Sequence, residues 1–406
     1  MNFDFENIRK DFPILHQEIN KRPLVYFDNA ATTQKPSVVT QALVDYYNHY
    51  NSNIHRGVHY LSNMATDAFE NARKYIQLYI NAKNSHEIIY TRGTTESINL
   101  VAYSFFKRFV KAGDNIIISA LEHHSNIVPW QMACENHNAQ LRVLPMNENG
   151  SLQLEKLNDL IDNNTKIVAI NHVSNALGTI NPIKEIIAIA HSKNVPVLLD
   201  GAQAISHIKV DVQELDVDFY CFSGHKVFAP MGIGILYGKE SLLNEMPPYQ
   251  GGGEMIKNVS FEKTTYNELP FKFEAGTPSV GDVIGLHKAL EYVQKLGLQN
   301  IAEYEDELLE YATKRIQEIP DVRIFAKDIS KTAILSFLVG KNHPYDIGVL
   351  LDKMGIAVRT GHHCTQPIMD FYKIPGTVRA SFAFYNTKEE INLFIEALKK
   401  VCQILS

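Results

Sequence analysis

From about residue 85 to residue 240 the chain alternates two patterns. Short β-branched runs (HEIIYTR, DNIIISA, TKIVAINHV, VPVLLDG, VDFYCFSG, GIGILYG) are separated by helix-length amphipathic stretches such as IKEIIAIAHSKN. That rhythm predicts βαβ units and a mainly parallel, mixed sheet covered by helices on both faces. Sheets of this kind bind ligands at the carboxyl ends of their strands, so the residues just after each run become candidates for chemistry.

After GGGEMI and an irregular stretch to Thr277, a helical pattern starts near Val280 and continues through ALEYVQKLGLQNIAEYEDELLEYATKRI, with Gly297 expected to join two domains. The tail shows the short runs VRIFA, AILSFLV, GIAVRT and TVRASFA and closes with the helical KEEINLFIEALKKVCQIL, an α+β pattern. The expected division is a large α/β domain over 23–295 and a smaller α+β domain over 296–406, with segment 1–22 packing on the small one. A chain of 406 residues has room for that many cores.

Composition narrows the classes of function. The apolar share of 45% and charged share of 21% are those of an ordinary globular protein. With 39 basic and 45 acidic residues, the net charge of −6 calls for neither nucleic acid nor an anionic membrane. The opening MNFDFENIRKDFPIL has no basic leader and no apolar core, and a cytoplasmic location is expected. Cys134, Cys221, Cys364 and Cys402 are widely spaced without a CxxC pair, which argues against disulfides and structural zinc. The adjacent pairs His123–His124 and His362–His363 lack the four-residue spacing of helical zinc ligands, so no metal site is expected.

The run DFYCFSGHKVFAPMGIG sets Lys226 just beyond a strand end, where partial burial would depress its usual pKa of about 10.4 and let it condense with an aldehyde cofactor. VLLDGAQA delivers Asp200 to another strand end, a suitable partner for a pyridinium nitrogen, with Gln203 placed to donate to a ring oxygen. TRGTTESINL opens an amphipathic helix with Thr94 and Thr95, where backbone amides converge on a phosphate, and Ser223 and His225 add donors. Each feature taken alone also has an ordinary reading: a solvated loop lysine, and helix N-caps at Asp200, Thr94 and Thr95. No GxxxxGK occurs, and GIGILYG spaces its glycines wrongly for a dinucleotide loop.

Together these residues resemble the class V aminotransferase family of fold-type I pyridoxal-phosphate enzymes. The likeness runs in order through YFDNAATTQKP, HRGVH, RGTTE, EHHSNIVPW, NHVSNALGT, DGAQ, SGHK, FEAGTP and RTGHHC. Within the family the chain is most similar to the Suf-type, group II cysteine desulfurases and their selenocysteine lyase relatives. The resemblance implies pyridoxal 5'-phosphate as cofactor, Lys226 as Schiff-base lysine, Asp200 on the pyridinium, Gln203 on the ring hydroxyl and His123 stacked over the ring. It further implies phosphate contacts from Thr94, Thr95, Ser223 and His225, with Thr277 reaching the neighbouring subunit's site in a homodimer. Asn175 and Arg379 match positions that hold the substrate carboxylate, and Arg359 opens the RTGHHC loop beside the substrate.

Cys364 lies in GHHCTQP, a context that suggests an exposed loop, with Arg359, His362 and His363 at hand to favour its thiolate. Cys134, Cys221 and Cys402 sit in apolar patterns and read as inert buried cysteines. The expected function is conversion of L-cysteine to L-alanine with sulfur held on Cys364 as a persulfide. A small sulfur-acceptor protein is expected to take it for iron–sulfur cluster assembly. The alternatives are a selenocysteine lyase on the same site and, in another class, a non-catalytic sulfur carrier.

Overall fold

The computed structural model describes residues 5–405. Its large sheet comprises β1 (Ile88–Thr91), β2 (Asn115–Ser119), β3 (Gln140–Leu144), β4 (Thr165–Asn171), β5 (Val197–Asp200), β6 (Phe219–Ser223) and β7 (Gly234–Gly238). They lie in the order β1-β7-β6-β5-β4-β2-β3. Neighbours from β6 to β3 are parallel, and β7 runs antiparallel to both β1 and β6. The strand that hydrophobic patterning does not predict is β3, because at the sheet edge its residues are largely exposed or half-buried and form no apolar run.

Every residue of β1, β2, β5, β6 and β7 is buried, as expected where helices cover both faces. Alternate side chains enter different cores. Val197 and Leu199 join Ile88, Tyr90 and Phe222 on one face, while Leu198 joins Ile89, Phe219 and Cys221 on the other. The first face is covered by α1 (Ser37–His49), α2 (Tyr60–Tyr79), α5 (Ile183–Ser192) and α6 (Val280–Leu296). The second is covered by α3 (Thr94–Phe109) and α4 (Val128–His137), which contribute Phe105, Phe106 and Trp130.

Helix α6 ends at Gly297, whose φ of +84° suits glycine, and α7 (Leu298–Ile316) leads into the second sheet. That sheet orders β8 (Val322–Ile324), β9 (Ile334–Val339), β10 (Arg359–Gly361) and β11 (Thr377–Ser381) as β8-β9-β11-β10, all antiparallel. Helices α7, α8 (Pro344–Asp352) and α10 (Lys388–Leu405) share its core, and α9 (Gln366–Tyr372) follows the loop bearing Cys364. Among the described residues, no helix is long and apolar enough to cross a membrane.

The N-terminal segment bridges the two bodies. Arg9 pairs with Glu390 of α10 at 2.7 Å, while Phe12 packs against Phe228 and Phe384 under the large sheet. Val25–Tyr26 pairs in parallel with Ile356–Ala357 and carries Val25 and Phe27 into the small core. The boundary expected at residue 23 therefore falls inside a stretch that still packs on the small core. Residues 1–4 of the expected segment 1–22 lie outside the described residues.

A buried cation fastens α2 to the large sheet. Arg73 donates to Ile88 O at 2.8 Å and to both oxygens of Glu274 at 2.7 and 2.9 Å, with its guanidinium 4.3 Å from the Tyr90 ring centroid. Removing one member of such a group strands the other charge, so Arg73→Ala should cost about 3–5 kcal/mol. A urea titration of the cofactor-free protein checks this, and a midpoint equal to that of the parent would contradict it.

Candidate active site

Because β1, β6, β5, β4 and β2 point the same way, their carboxyl ends share one edge of the sheet. Sheet order sets out the polar residues along that edge: Thr94 after β1, Lys226 after β6, Asp200 ending β5, Asn175 after β4 and His123 after β2. β7 starts at this same edge with Gly234, where an added Cβ would lie 2.3 Å from Gly93 Cα. Two glycine backbones meet there, and Gly93, with φ of +153°, turns the chain into α3.

Except for Thr277 and His362, every residue given a role in the site from the sequence lines one cavity of about 250 Å³. Lys226 is recessed in it, and among the described residues its amine makes no hydrogen bond or ion pair. Burial lowers its pKa to about 8, Asp200 opposing the shift. The Asp200 carboxylate is buried and, among the described residues, accepts one hydrogen bond, from Ala202 N at 3.0 Å, so burial raises its pKa while Ala202 and Lys226 counteract. A buried carboxylate held by so few donors suits a cationic partner. Gln203 spends one amide N–H on Ala30 O at 2.7 Å and retains a second.

At the other end, Thr94 N and Oγ1 contact Ser223 Oγ at 2.8 and 2.9 Å, and Thr95 Oγ1 contacts Ser125 Oγ at 2.7 Å. These groups stand at the start of a 16-residue helix, whose first N–H groups and dipole favour an anion. His225 Nδ1 is buried without a partner among the described residues. Burial and then Lys226 lower the pKa of His225 to about 4. His123 is likewise driven to about 3, first by burial and then by Lys226. Its Nδ1 accepts from Ser125 N at 3.0 Å, which assigns the ring proton to Nε2.

The mouth is cationic. Arg359 and Arg379 face each other across β10 and β11, a pairing of like charges made tolerable by Asp28 between them. Asp28 accepts from Arg379 Nη2 at 3.1 Å and Arg359 Nη1 at 3.2 Å. Two guanidiniums share one carboxylate, which leaves net positive charge for an anionic group. Arg379 Nη1 also donates to Asn175 O at 2.8 Å, while Arg379 Nε and Asn175 Oδ1 are buried without partners among the described residues.

Cys364 is exposed at this mouth. It and His363 both adopt left-handed conformations, with φ of +57° and +53°. The expectation that His363 helps ionise the thiol is corrected here: burial, then Arg379 and Arg359, push its pKa well below the usual value. A neutral imidazole supplies no counter-charge, so of His363 and Arg359 only Arg359 is a cation at the mouth. Cys134 and Cys221 are buried and their thiol pKa values rise with burial, whereas Cys402 is half-buried rather than buried.

Thr277 is exposed near Arg92 and Gln250, apart from this cavity. Sequence reasoning did not find Asp28, Ser125 or Glu122. Glu122 is buried behind His123, where it accepts from Asn126 Nδ2 at 2.7 Å and Asn171 N at 2.9 Å, and burial raises its pKa to about 8. The one signal available was its place beside His123 at a strand end. Among the described residues, no group of three or more His, Cys, Asp or Glu is arranged to hold a metal ion.

The unpaired recessed amine, the under-donated carboxylate beside it and the anion-ready helix start fit pyridoxal phosphate. The chain belongs to the class V aminotransferase family, whose model matches residues 25–394. Over 406 residues, the full length of both chains, it is 52% identical to cysteine desulfurases of Shigella sonnei and Escherichia coli. Among solved structures, it is similar to the S-sulfonic acid form of an Escherichia coli cysteine desulfurase, with a TM-score of 0.92 and 37% identity over 100% of both chains. The cysteine desulfurase of Thermococcus onnurineus, in its apo form, matches with a TM-score of 0.94 and 37% identity over 99% of both chains.

An amine with a pKa near 8 is mostly neutral one unit above that value, whereas an ordinary lysine is still protonated there. In the cofactor-free protein, the rate of covalent uptake of pyridoxal phosphate at Lys226 should therefore rise through pH about 8 and then level off. Borohydride trapping at timed intervals with peptide mass mapping measures it, and a rate still climbing at pH about 10 would contradict the depressed pKa.

Proposed function

We propose that the protein is a pyridoxal-phosphate-dependent cysteine desulfurase. The observation that carries this reading is the joint presence, around one cavity, of an unpaired recessed lysine and an exposed cysteine. The reaction balances as L-cysteine plus the Cys364 thiol giving L-alanine plus a Cys364 persulfide. Bound pyridoxal phosphate supplies an electron sink for carbanion chemistry at the substrate Cα.

The chain's own residues have separable tasks. Lys226 would hold the cofactor and, when free, would move the substrate Cα proton, a task its depressed pKa suits. Asp200 would pair with the cofactor nitrogen and favour its protonated form. Gln203 would hold the ring oxygen, and Thr94, Thr95, Ser223 and His225 would hold the phosphate. His123, neutral and protonated on Nε2, lines the same cavity and would face the bound ring with a proton to give. Arg379 through its unpartnered Nε–H, and Asn175 through the second N–H of its Nδ2, would orient the substrate carboxylate, with Arg359 adding charge at the mouth. Cys364 attacks the substrate sulfur, the Cβ–S bond breaks, and its electron pair passes to the carbon side to be protonated as alanine.

We extend the proposal to a small sulfur-acceptor protein, because the persulfide stands on an exposed residue, and to iron–sulfur cluster assembly as the destination of the sulfur. A homodimer is proposed as the working unit. It is supported by Thr277, exposed and apart from its own chain's cavity, and by the exposed hairpin Ile256–Val259 and Thr264–Tyr266 with Phe261 at its tip. Selenocysteine would enter the same cavity, and the ratio of kcat/KM for the two amino acids sets the preference.

Lys226→Ala should abolish turnover, and normal alanine release in that variant would remove Lys226 from the chemistry. Cys364→Ser changes one exposed atom, so cofactor absorbance and its response to L-cysteine should persist. Serine's hydroxyl stores no sulfane sulfur, and reducible label from sulfur-labelled cysteine should fall to background. Label at the parent level would transfer the acceptor role to another cysteine.

A further inference from the structure

We infer that His124 is a positioning residue for the sulfur-transfer step. It holds the Cys364 loop in reach of the substrate by capping the helix that comes after the loop. The inference rests on the reading of Cys364 as sulfur acceptor.

The loop between β10 and α9 is short and strained. His363 and Cys364 are consecutive non-glycine residues with positive φ, a conformation that persists only where surroundings impose it. Three consecutive carbonyls are accordingly tied down. His362 O accepts from Thr365 N and Oγ1, both at 2.8 Å. His363 O accepts from Asn175 Nδ2 at 2.7 Å, and Cys364 O accepts from His124 N at 2.8 Å. The last two donors belong to the large body, so the thiol's position is referred to the cofactor side of the cleft.

The imidazole of His124 completes this hold. Helix α9 begins at Gln366, and its first N–H groups have no partner within the helix. Thr365 occupies the N-cap position but makes no side-chain cap, because its hydroxyl is turned onto His362 O. The Gln366 N–H instead donates to His124 Nε2 at 3.1 Å. One residue of the large body thus grips the chain on both sides of the Cys364 to Gln366 step, by its backbone N–H before and its ring after. Only the side-chain half can be removed by substitution. The Nε2 acceptor has no other role in the site, where His123 is the ring that faces the cavity.

The test uses the holoenzyme with His124→Leu, which removes the acceptor, and His124→Gln, which keeps an amide oxygen at similar reach. In His124→Leu, the cofactor absorbance change on adding L-cysteine should stay within about twofold of the parent, while persulfide formation on Cys364 slows about tenfold, or about 1.4 kcal/mol. Amide hydrogen exchange at Gln366 and its neighbours should quicken by a similar factor. His124→Gln should restore both. Should His124→Leu lose the cofactor spectrum, His124→Asn, whose amide is too short to reach the Gln366 N–H, gives the same comparison. Parent-level persulfide formation in the Leu or Asn variant, or a Gln variant as slow as Leu, would overturn the inference. Failure of the acceptor reading shows separately, as label retained by Cys364→Ser.

Discussion

The structure depends on the common direction of its central strands. A strand buried on both faces offers no place for a polar side chain except beyond its ends, and parallel neighbours bring those ends to one edge. Asp200, Lys226, Asn175 and His123 are therefore assembled by strand order rather than by nearness in sequence. The one reversal in the sheet, β7, carries glycine at this edge. Any side chain at Gly234 would push away the Gly93 turn, and with it the start of α3 proposed to hold the phosphate.

That gathering concentrates charge in a recessed space, and the charges are left incompletely matched. Lys226 has no ion-pair partner among the described residues, Asp200 has one neutral donor, and two arginines share Asp28. Unmatched buried charge costs stability, which the apolar cores on both faces of the sheet offset. The same field settles the histidines. His123, His225 and His363 all sit among cations in partial or full burial, and all are held neutral. Neutral imidazoles in a cationic pocket leave its positive charge to the lysine and arginines, which fits an amino acid and a phosphate as occupants.

This physics decides how much was legible in the sequence. Apolar runs ending in a reactive residue mark buried parallel strands, so Lys226 and Asp200 could be read directly from DFYCFSGHK and VLLDGAQ. Edge strand β3 could not, since half-exposed residues leave no apolar signature. Contacts that join distant segments were also unreadable: Asp28 meets Arg379 across 351 positions, and Asn175 meets His363 across 188. The pair His362–His363 shows a finer limit. Adjacent residues of one type differ in role because one faces solvent and the other, with φ of +53°, is turned inward to bond Thr377. Spacing alone carries no sign of that turn.

The division between the two bodies has its own chemical logic. The residues proposed to hold the cofactor lie on the large body, where buried strands fix them rigidly, while the thiol rides on a loop of the small one beside Arg379. A sulfur carrier must serve two sites, a recessed one where it takes sulfur and an open one where another molecule collects it. An exposed cysteine on a loop meets the second need, yet a free loop would sample many positions and seldom the productive one. The carbonyl ties from Asn175 and His124 meet the first, by referring the loop to the large body. Asn175 also lies beside Arg379, so the residue proposed to orient the substrate carboxylate also holds the chain next to the Cys364 thiol. Substrate placement and thiol placement are thereby linked through one side chain.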